Sequence, residues 1–419
     1  MKGLGIVLFM LILSVSCSEV DLTSTKYYEE GRVFPTDDSG GHSGSGHVGE
    51  GDKPVIPDPE FYHLCAEYPD GYDWVRDPQY GIVDCSLVVM KDKNRLSSRP
   101  AGYKYGIFAD SDMVWLEEMN LYSQSVESGQ TVVRKDGEEL LRFDGEEMLT
   151  GFLDYGGVLY TSSVPKDGGG WIYRCDGKSL AVSAKGQPSG PLYEDDGYVL
   201  FPTFMLDSDF AAVPEYSLVK NGVSARIDAV TGAKLVDYRE FNGTRYILST
   251  FYDNRPPVLV SGSGTEYLSW PEAQRIESRG LFAGEDGHLY VLGAAYKAHS
   301  KAVYVLWRGT SPIMSFPPEM DVKTCISVGS RVVAIGYRRS RENNIVIYDK
   351  GKLIDIPSGY KMPDRNCISA AQGHYLICFN PVSPDEQPLA AEDGLVRNID
   401  VRGCVLSVSC KVFGDVANE

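Results

Sequence analysis

Apolar residues along this chain come in short runs of four to eight, each cut off by small or polar turn residues, and the runs recur in groups of four. The stretch from Gly280 to Phe316 shows one such group: GLFAGEDG, HLYVLGAAY, AVYVLWRG and PIMSF. Runs of this length, rich in Val, Leu, Ile and Tyr and separated by Asp-Gly or Asn-Gly turns, predict antiparallel strands joined by tight hairpins. No long segment carries the 3.6-residue periodicity of an amphipathic helix, so the pattern predicts an all-β fold.

Two interleaved series of turns give the spacing. One precedes an apolar strand, at Asp112, Gly157, Gly197, Gly243, Gly287, Gly329 and Gly373, with gaps of 45, 40, 46, 44, 42 and 44 residues. The other lies 20 to 30 residues further on each time, at Gly137, Gly177, Gly222, Gly264, Gly309, Gly351 and Gly403. Two hairpins per period of roughly 43 residues is the signature of a propeller blade. The first strand of each unit is built from smaller residues (YGIFAD, TGFLDY, GPLYED, GLFAG, TCISVG, NCISAA), as expected where neighbouring sheets converge on a central axis. Cys325 and Cys367 fall at equivalent places in two of these strands and read as small apolar packing residues.

Seven first hairpins predict a seven-bladed β-propeller, with six or eight blades as the alternatives. An extra hairpin, LVVMKDKNRL at Leu87 to Leu96, precedes the first unit and is expected to take part in closing the ring. Two routes are open. Residues 84–98 complete the blade begun by GHYLICF, or the Gly403 hairpin completes it and the N-terminal hairpin caps the ring. With HLYVLGAAYKAHSKAVYVLWRG as its best unit, the chain resembles the exported propeller-like proteins of Bacteroidota over roughly residues 104–410. The Trp-Asp pairs of WD40 blades and the repeated double glycines of kelch blades are missing. The resemblance implies an architecture and an exported location and names no activity.

The N-terminus supports export. Lys2 gives a positive start, Leu4 to Leu13 an apolar core too short to span a bilayer, and Ser14-Val15-Ser16 leads into Cys17. This resembles a bacterial lipoprotein signal over residues 1–16, with Cys17 as the lipid attachment point. Leu13 departs by one place from the usual leucine position, and an ordinary secretory signal is the alternative. The acidic Ser18-Glu19-Val20-Asp21 resembles surface-export signals of Bacteroidota lipoproteins. Residues 17–60 contain TDDSGGHSGSGHVGEGDKP, whose lack of large apolar side chains predicts a flexible linker. From residue 61 to 419 the composition is globular, and the expected location is the outer membrane or cell surface, or else a lipid-anchored, periplasm-facing position.

Charge and cysteines narrow the partners. A formal charge of −18 opposes polyphosphate backbones and argues against nucleic acid. Setting Cys17 aside, eight of the nine cysteines remain, an even number compatible with disulfides in an oxidising compartment. No G-x-S-x-G elbow, HExxH helix or Walker loop is present. His288 and His374 occupy the same slot after the first-hairpin glycine and read as repeat elements. His42 and His47 lie in the linker without a third ligand. No cofactor or metal is expected.

What the repeat does not dictate is its loops. Those joining second to third strands share a face with the connections between blades, and they vary in length and charge while the opposite turns stay short. Lys297, His299 and Lys301 with Arg338, Arg339 and Arg341 make a basic sector on adjacent blades, suited to an anionic glycan or an acidic protein. Tyr252 and Tyr296 are aromatic candidates beside the loops, and Asp207 and Asp209 are the best-placed carboxylates for glycoside hydrolysis. Calcium binding by the same pair lacks the rest of the loop pattern. The reading is a surface binding module for a glycan or an envelope protein, with the balance against an enzyme. A carbohydrate-active enzyme and a structural subunit of an envelope complex are the alternatives.

Overall fold

The computed structural model describes residues 57–413 except 74–82, 105–106, 109–112, 118, 156–157, 167–169, 184–186, 189–192, 196–197, 207–211, 221–222, 272, 298–300 and 340–343. The signal segment, Cys17 and most of the linker therefore lie outside the described residues. Within them the strands form eight antiparallel sheets, each begun by its own stretch of chain except the first. In the sixth sheet, for example, Arg275–Ala283, Leu289–Tyr296, Val303–Arg308 and Ser311–Ser315 follow one another in a simple meander. The seventh repeats it with Met320–Val328, Arg331–Arg338, Ile345–Asp349 and Lys352–Asp355, and the eighth with Ile368–Ala371, His374–Phe379, Leu389–Glu392 and Leu395–Asn398.

Successive side chains on a strand point to opposite faces, and here both faces are buried. Leu289, Val291 and Ala295 pack toward the fifth sheet, while Tyr290, Leu292 and Ala294 on the same strand pack toward the seventh. Val333 and Ile335 likewise face the eighth sheet, and Ala334 between them faces the sixth. That is why the runs read as continuously apolar rather than alternating. The eighth sheet packs on the first, the first on the second, and the second on the third, so the sheets form a ring, and the chain is a β-propeller.

Closure differs from both routes read in the sequence. The first sheet has the order Gly403–Lys411, Glu60–Glu67, Val83–Lys91, Asn94–Lys104, so both ends of the chain supply it. The C-terminal strand pairs antiparallel with Glu60–Glu67, from Glu60 opposite Lys411 to Glu67 opposite Gly403. The blade begun by GHYLICF needs neither terminal hairpin, because it finishes at its own turn, Asp393-Gly394, 43 residues after Gly351. Gly403 is thus not a hairpin turn but the start of the closing strand. The LVVMKDKNRL hairpin turns at Asp92 and supplies the third and fourth strands of an additional sheet, so the count stands at the eight-sheet alternative and not seven.

Apart from Gly403, the two turn series hold where they are described. Gly243, Gly287, Gly329 and Gly373 join first to second strands with φ of 67°, 76°, 60° and 82°, a region where a side chain would be strained. Asp112, Gly157, Gly197 and Gly222 lie outside the described residues, as does part of YGIFAD. The remaining YGIFAD residues, Ile107–Phe108, pair with Asn94–Lys104 at the far end of the first sheet rather than opening a blade. All eight cysteines beyond residue 57 are thiols and none is in a disulfide. Cys65, Cys367 and Cys378 are fully buried between the eighth and first sheets, filling volume as small apolar residues, and burial pushes their thiols up, away from the reactive thiolate.

Candidate ligand-binding face

Antiparallel meanders put the first-to-second and third-to-fourth turns on one face of the ring. The second-to-third loops and the connections between sheets lie on the other. The turn face is closed by the repeat itself. Glu285 follows the first strand of the sixth sheet, and its Oε2 accepts the backbone N–H of Gly329 at 2.7 Å and of Gly373 at 2.8 Å. One carboxylate thus ties the first turns of three successive sheets. Burial raises the Glu285 pKa, only partly offset by those two N–H groups and the charges of Arg331 and His374. Beside it Arg331 reaches Asp349 at 2.9 Å and the Gly373 carbonyl at 3.1 Å, and His374 Nδ1 lies 2.5 Å from Asp393. His288 and His374 are repeat elements here, as expected, each beside a turn aspartate.

The loop face is more open. Between the seventh and eighth sheets lies a cleft of about 850 Å³, within the range of small-ligand sites. Tyr337 reaches it from the second strand of the seventh sheet, Asn344 from just before the third, Asp355 from the fourth, and Ser358, Tyr360 and Lys361 from the connection to the eighth sheet. Asp355 is held by three donors on one oxygen: Arg338 Nε at 2.9 Å, Arg338 Nη2 at 2.8 Å and Asn344 Nδ2 at 3.1 Å, all to Oδ1. The Tyr360 hydroxyl donates to the Gln387 carbonyl at 2.9 Å, and burial together with the Glu386 charge raises its pKa.

Arg339 links the cleft to the sixth sheet. Its guanidinium donates to the Ala302 carbonyl at 2.5 Å and sits 5.4 Å from the Tyr304 ring centroid. Tyr304 in turn receives Arg279 at 3.0 Å and donates to Asp321, which also pairs with Lys323 at 3.2 Å. Burial and the Asp321 carboxylate push the Tyr304 hydroxyl up to about 12. Burial works against ionisation of Asp321 too, but Tyr304 and Lys323 outweigh it and hold Asp321 below the usual carboxylate range.

The expected sector is therefore brought together in part. Arg339 does reach the loop that carries Lys301, across two adjacent sheets. Its charge, however, is largely spent internally, with Arg338 committed to Asp355 and Arg339 to Ala302 and Tyr304. Lys301 is exposed and Lys297 half-buried, while His299 and Arg341 lie outside the described residues. Tyr296 is occupied, donating to Glu277 at 2.7 Å with Arg275 stacked 5.3 Å from its centroid. Tyr252 is 76% exposed on the loop of the fifth sheet and stands apart from the cleft. Asp207 and Asp209 lie outside the described residues. Among the described residues no three His, Cys, Asp or Glu side chains converge as a metal site requires.

Sequence reasoning missed Asn344, Asp355, Tyr360 and Lys361. Tyr360 and Lys361 lie in a connection between sheets, which shares the face of the second-to-third loops. The signal was present in IPSGYKM, a Pro-Ser-Gly turn followed by an aromatic and a cation.

No family model matches the chain, and no curated protein sequence matches it. In structure the chain is similar to apo AztD from Citrobacter koseri, at TM-score 0.43 and 11% identity over 85% of this chain and 99% of that one. It is also similar to the β-propeller domain of the Trilobed protease from Pyrococcus furiosus, at 0.39 and 11% over 72% and 97%, respectively. The Cps50 (Swd1) β-propeller domain from Myceliophteria thermophila gives 0.35 and 13% over 64% and 93%. Similarities at this level carry no argument about ligand or activity, and the ring rests on its own strand pairing.

Proposed function

We propose that this protein is a lipid-anchored binding module of the bacterial cell surface, attached through Cys17 and presenting the loop face of its propeller to a glycan or an envelope protein. The observation that carries the reading is the cleft between the seventh and eighth sheets. It is assembled from two strands, the residue before a third and a connection, on the one face whose loops the repeat does not dictate. The opposite face is taken up by hydrogen bonds between equivalent turns, led by those of Glu285. A rigid scaffold with its variable segments gathered at one opening is how loop-borne recognition is commonly organised.

Two measurements test it. Full-length protein expressed in a bacterial host with a clickable fatty-acid analogue should incorporate label, and Cys17→Ala should abolish it; unchanged incorporation removes the anchor. A glycan array and a polysaccharide hydrolysis panel should then give binding without release of product. Product release would shift the reading to a carbohydrate-active enzyme, and retention by an outer-membrane protein after mild solubilisation to an envelope subunit.

A further inference from the structure

The charge accounting on the loop face selects among ligands. The cleft lining carries one acid, Asp355, and one base, Lys361. Just behind them, Arg338 is neutralised by Asp355, and Lys361 stands close enough to Asp364 to favour its ionised form against burial. Glu386 borders Tyr360. An anionic ligand would therefore meet no uncommitted arginine here. A wholly apolar ligand would leave Asn344, Asp355, Ser358 and Lys361 desolvated against hydrocarbon, at a cost of roughly 1–3 kcal/mol per unpaired group.

What the lining does offer is the Tyr360 ring among short polar side chains at fixed positions, with Tyr337 beside it carrying Lys323 Nζ 5.9 Å from its centroid. Asp355 is the clearest recognition group. Its Oδ1 is saturated by Arg338 and Asn344, which fix the plane of the carboxylate, while Oδ2 has no hydrogen bond among the described residues. Oδ2 is an oriented, charge-bearing acceptor on a residue exposed at the cleft rim. An acceptor of that kind is complementary to hydroxyl donors, and the Tyr360 face to the C–H face of a pyranose ring.

Resting on the binding-module reading above, we propose that the cleft takes an uncharged, polyhydroxylated ligand, a short stretch of neutral saccharide, with Asp355 Oδ2 accepting its hydroxyls and Tyr360 packing on a ring face. Arg338 positions Asp355 and Arg339 the Tyr304 network, and neither binds the ligand through charge.

The test is affinity electrophoresis and titration calorimetry of the full chain with neutral gluco-, galacto-, manno- and xylo-configured polysaccharides, beside uronic-acid-containing and sulfated ones. Binding is expected to at least one neutral polymer and to be unchanged as NaCl is raised. Asp355→Asn keeps shape and the Arg338-side contact but replaces the Oδ2 acceptor with an amide donor, and should lower affinity about tenfold, equivalent to about 1.4 kcal/mol. Ser358→Trp adds an indole at an exposed position of the cleft and should abolish binding while leaving the thermal transition in place. If saccharide binds but Ser358→Trp does not weaken it, the site assignment fails and the binding-module reading stands. If only charged polymers bind, and salt releases them, the ligand class is overturned. If no saccharide binds while an envelope protein is retained, this inference falls without the broader one.

Discussion

The seam where the two ends of the chain meet and the arc running on from it are built from the same strand pattern but held by different means. In the arc, polar ties run between sheets and within them: Glu285 spans the turns of three sheets, Gln124 of the second sheet donates to the Glu147 carbonyl of the third at 2.8 Å, and inside the third sheet the Glu147 carboxylate accepts from Arg174 and from Ser163. The seam instead relies on the ladder between Gly403–Lys411 and Glu60–Glu67, on buried thiols, on Arg402 donating to the carbonyls of Pro69 and Tyr72, and on the Asn380 amide, which donates to the Val405 carbonyl at 2.9 Å and accepts its N–H at 2.7 Å. At its centre His63 is fully buried with neither ring nitrogen hydrogen-bonded. Where the chain is continuous, turns hold the sheets in register and polar groups can be paired across them. Where it is not, register comes from one strand pairing, with the uncharged amides of Asn380 and Gln372 as its polar ties to the eighth sheet.

The most drastic way to break that contrast is to remove the closing strand. Ending the chain after Arg402 deletes the whole ladder to Glu60–Glu67 and strips Val405, Leu406 and Val408 from the packing of both neighbouring sheets. Loss of a cooperative thermal transition by circular dichroism is expected, with rapid proteolysis. A truncated protein that melts like the parent would mean that the arc is stable without closure.

Next in size is the arc's own buried pair. Arg174 and Glu147 have side chains only 8% and 5% exposed, and Arg174 also stacks 4.2 Å from the Phe143 centroid. Arg174→Ala leaves Glu147 as an uncompensated buried charge and should cost about 3–5 kcal/mol in urea unfolding. The double variant Arg174→Met with Glu147→Leu should recover much of that, because two matched apolar groups carry no desolvation penalty. If the single variant costs nothing, polar ties do not distinguish the arc from the seam.

The seam should also respond to acid. Burial, with the charge of Arg397, pushes His63 down to about 4, while Asp92 pulls the other way. A histidine with a depressed folded-state pKa stabilises the native state fully above its unfolded value and loses that contribution as pH falls through the window below it. Between pH 6.5 and about 4 the seam should therefore lose ~3 kcal/mol, given about 1.4 kcal/mol per unit. His63→Leu should flatten this limb of the stability profile, and hydrogen exchange of Glu60–Glu67 should report the loss before the sixth sheet does. Equal acceleration in both places would merge the seam with the arc.

How much of this was legible in the sequence follows the same division. The arc was readable because its turns repeat: Gly287, Gly329 and Gly373 stand at equal places, and continuous apolar runs such as HLYVLG announce strands buried on both faces. The seam was not, because a strand that pairs across the chain ends carries no local turn to mark it. Gly403 resembled the turn glycines in its local pattern, DVRGCVL, although it lies 52 residues after Gly351, and the Asp393-Gly394 turn, 43 residues after Gly351, is the one that ends the eighth sheet. Of the cleft, the face of the ring on which it opens was visible, and so were Arg338 and Arg339 as residues of a loop beside it. Their neutralisation was not, since Asp355 lies on a different strand and only pairing shows that it meets Arg338.

The smallest effect bears on what kind of tie Glu285 is. Glu285→Ala leaves the N–H groups of Gly329 and Gly373 without their acceptor and should cost roughly 1–3 kcal/mol by urea unfolding. Its other oxygen, Oε1, is buried without a partner, and burial raises its pKa, so the negative charge at this point opposes folding as pH rises rather than supporting it. Glu285→Gln keeps a carbonyl for the two N–H groups and removes that charge. It should therefore lose less than the alanine variant at neutral pH, with the gap between Gln and parent narrowing or reversing as pH increases. If glutamine is as damaging as alanine, the charge itself holds the three turns together, and the turn face is an electrostatic lock rather than a hydrogen-bonded one.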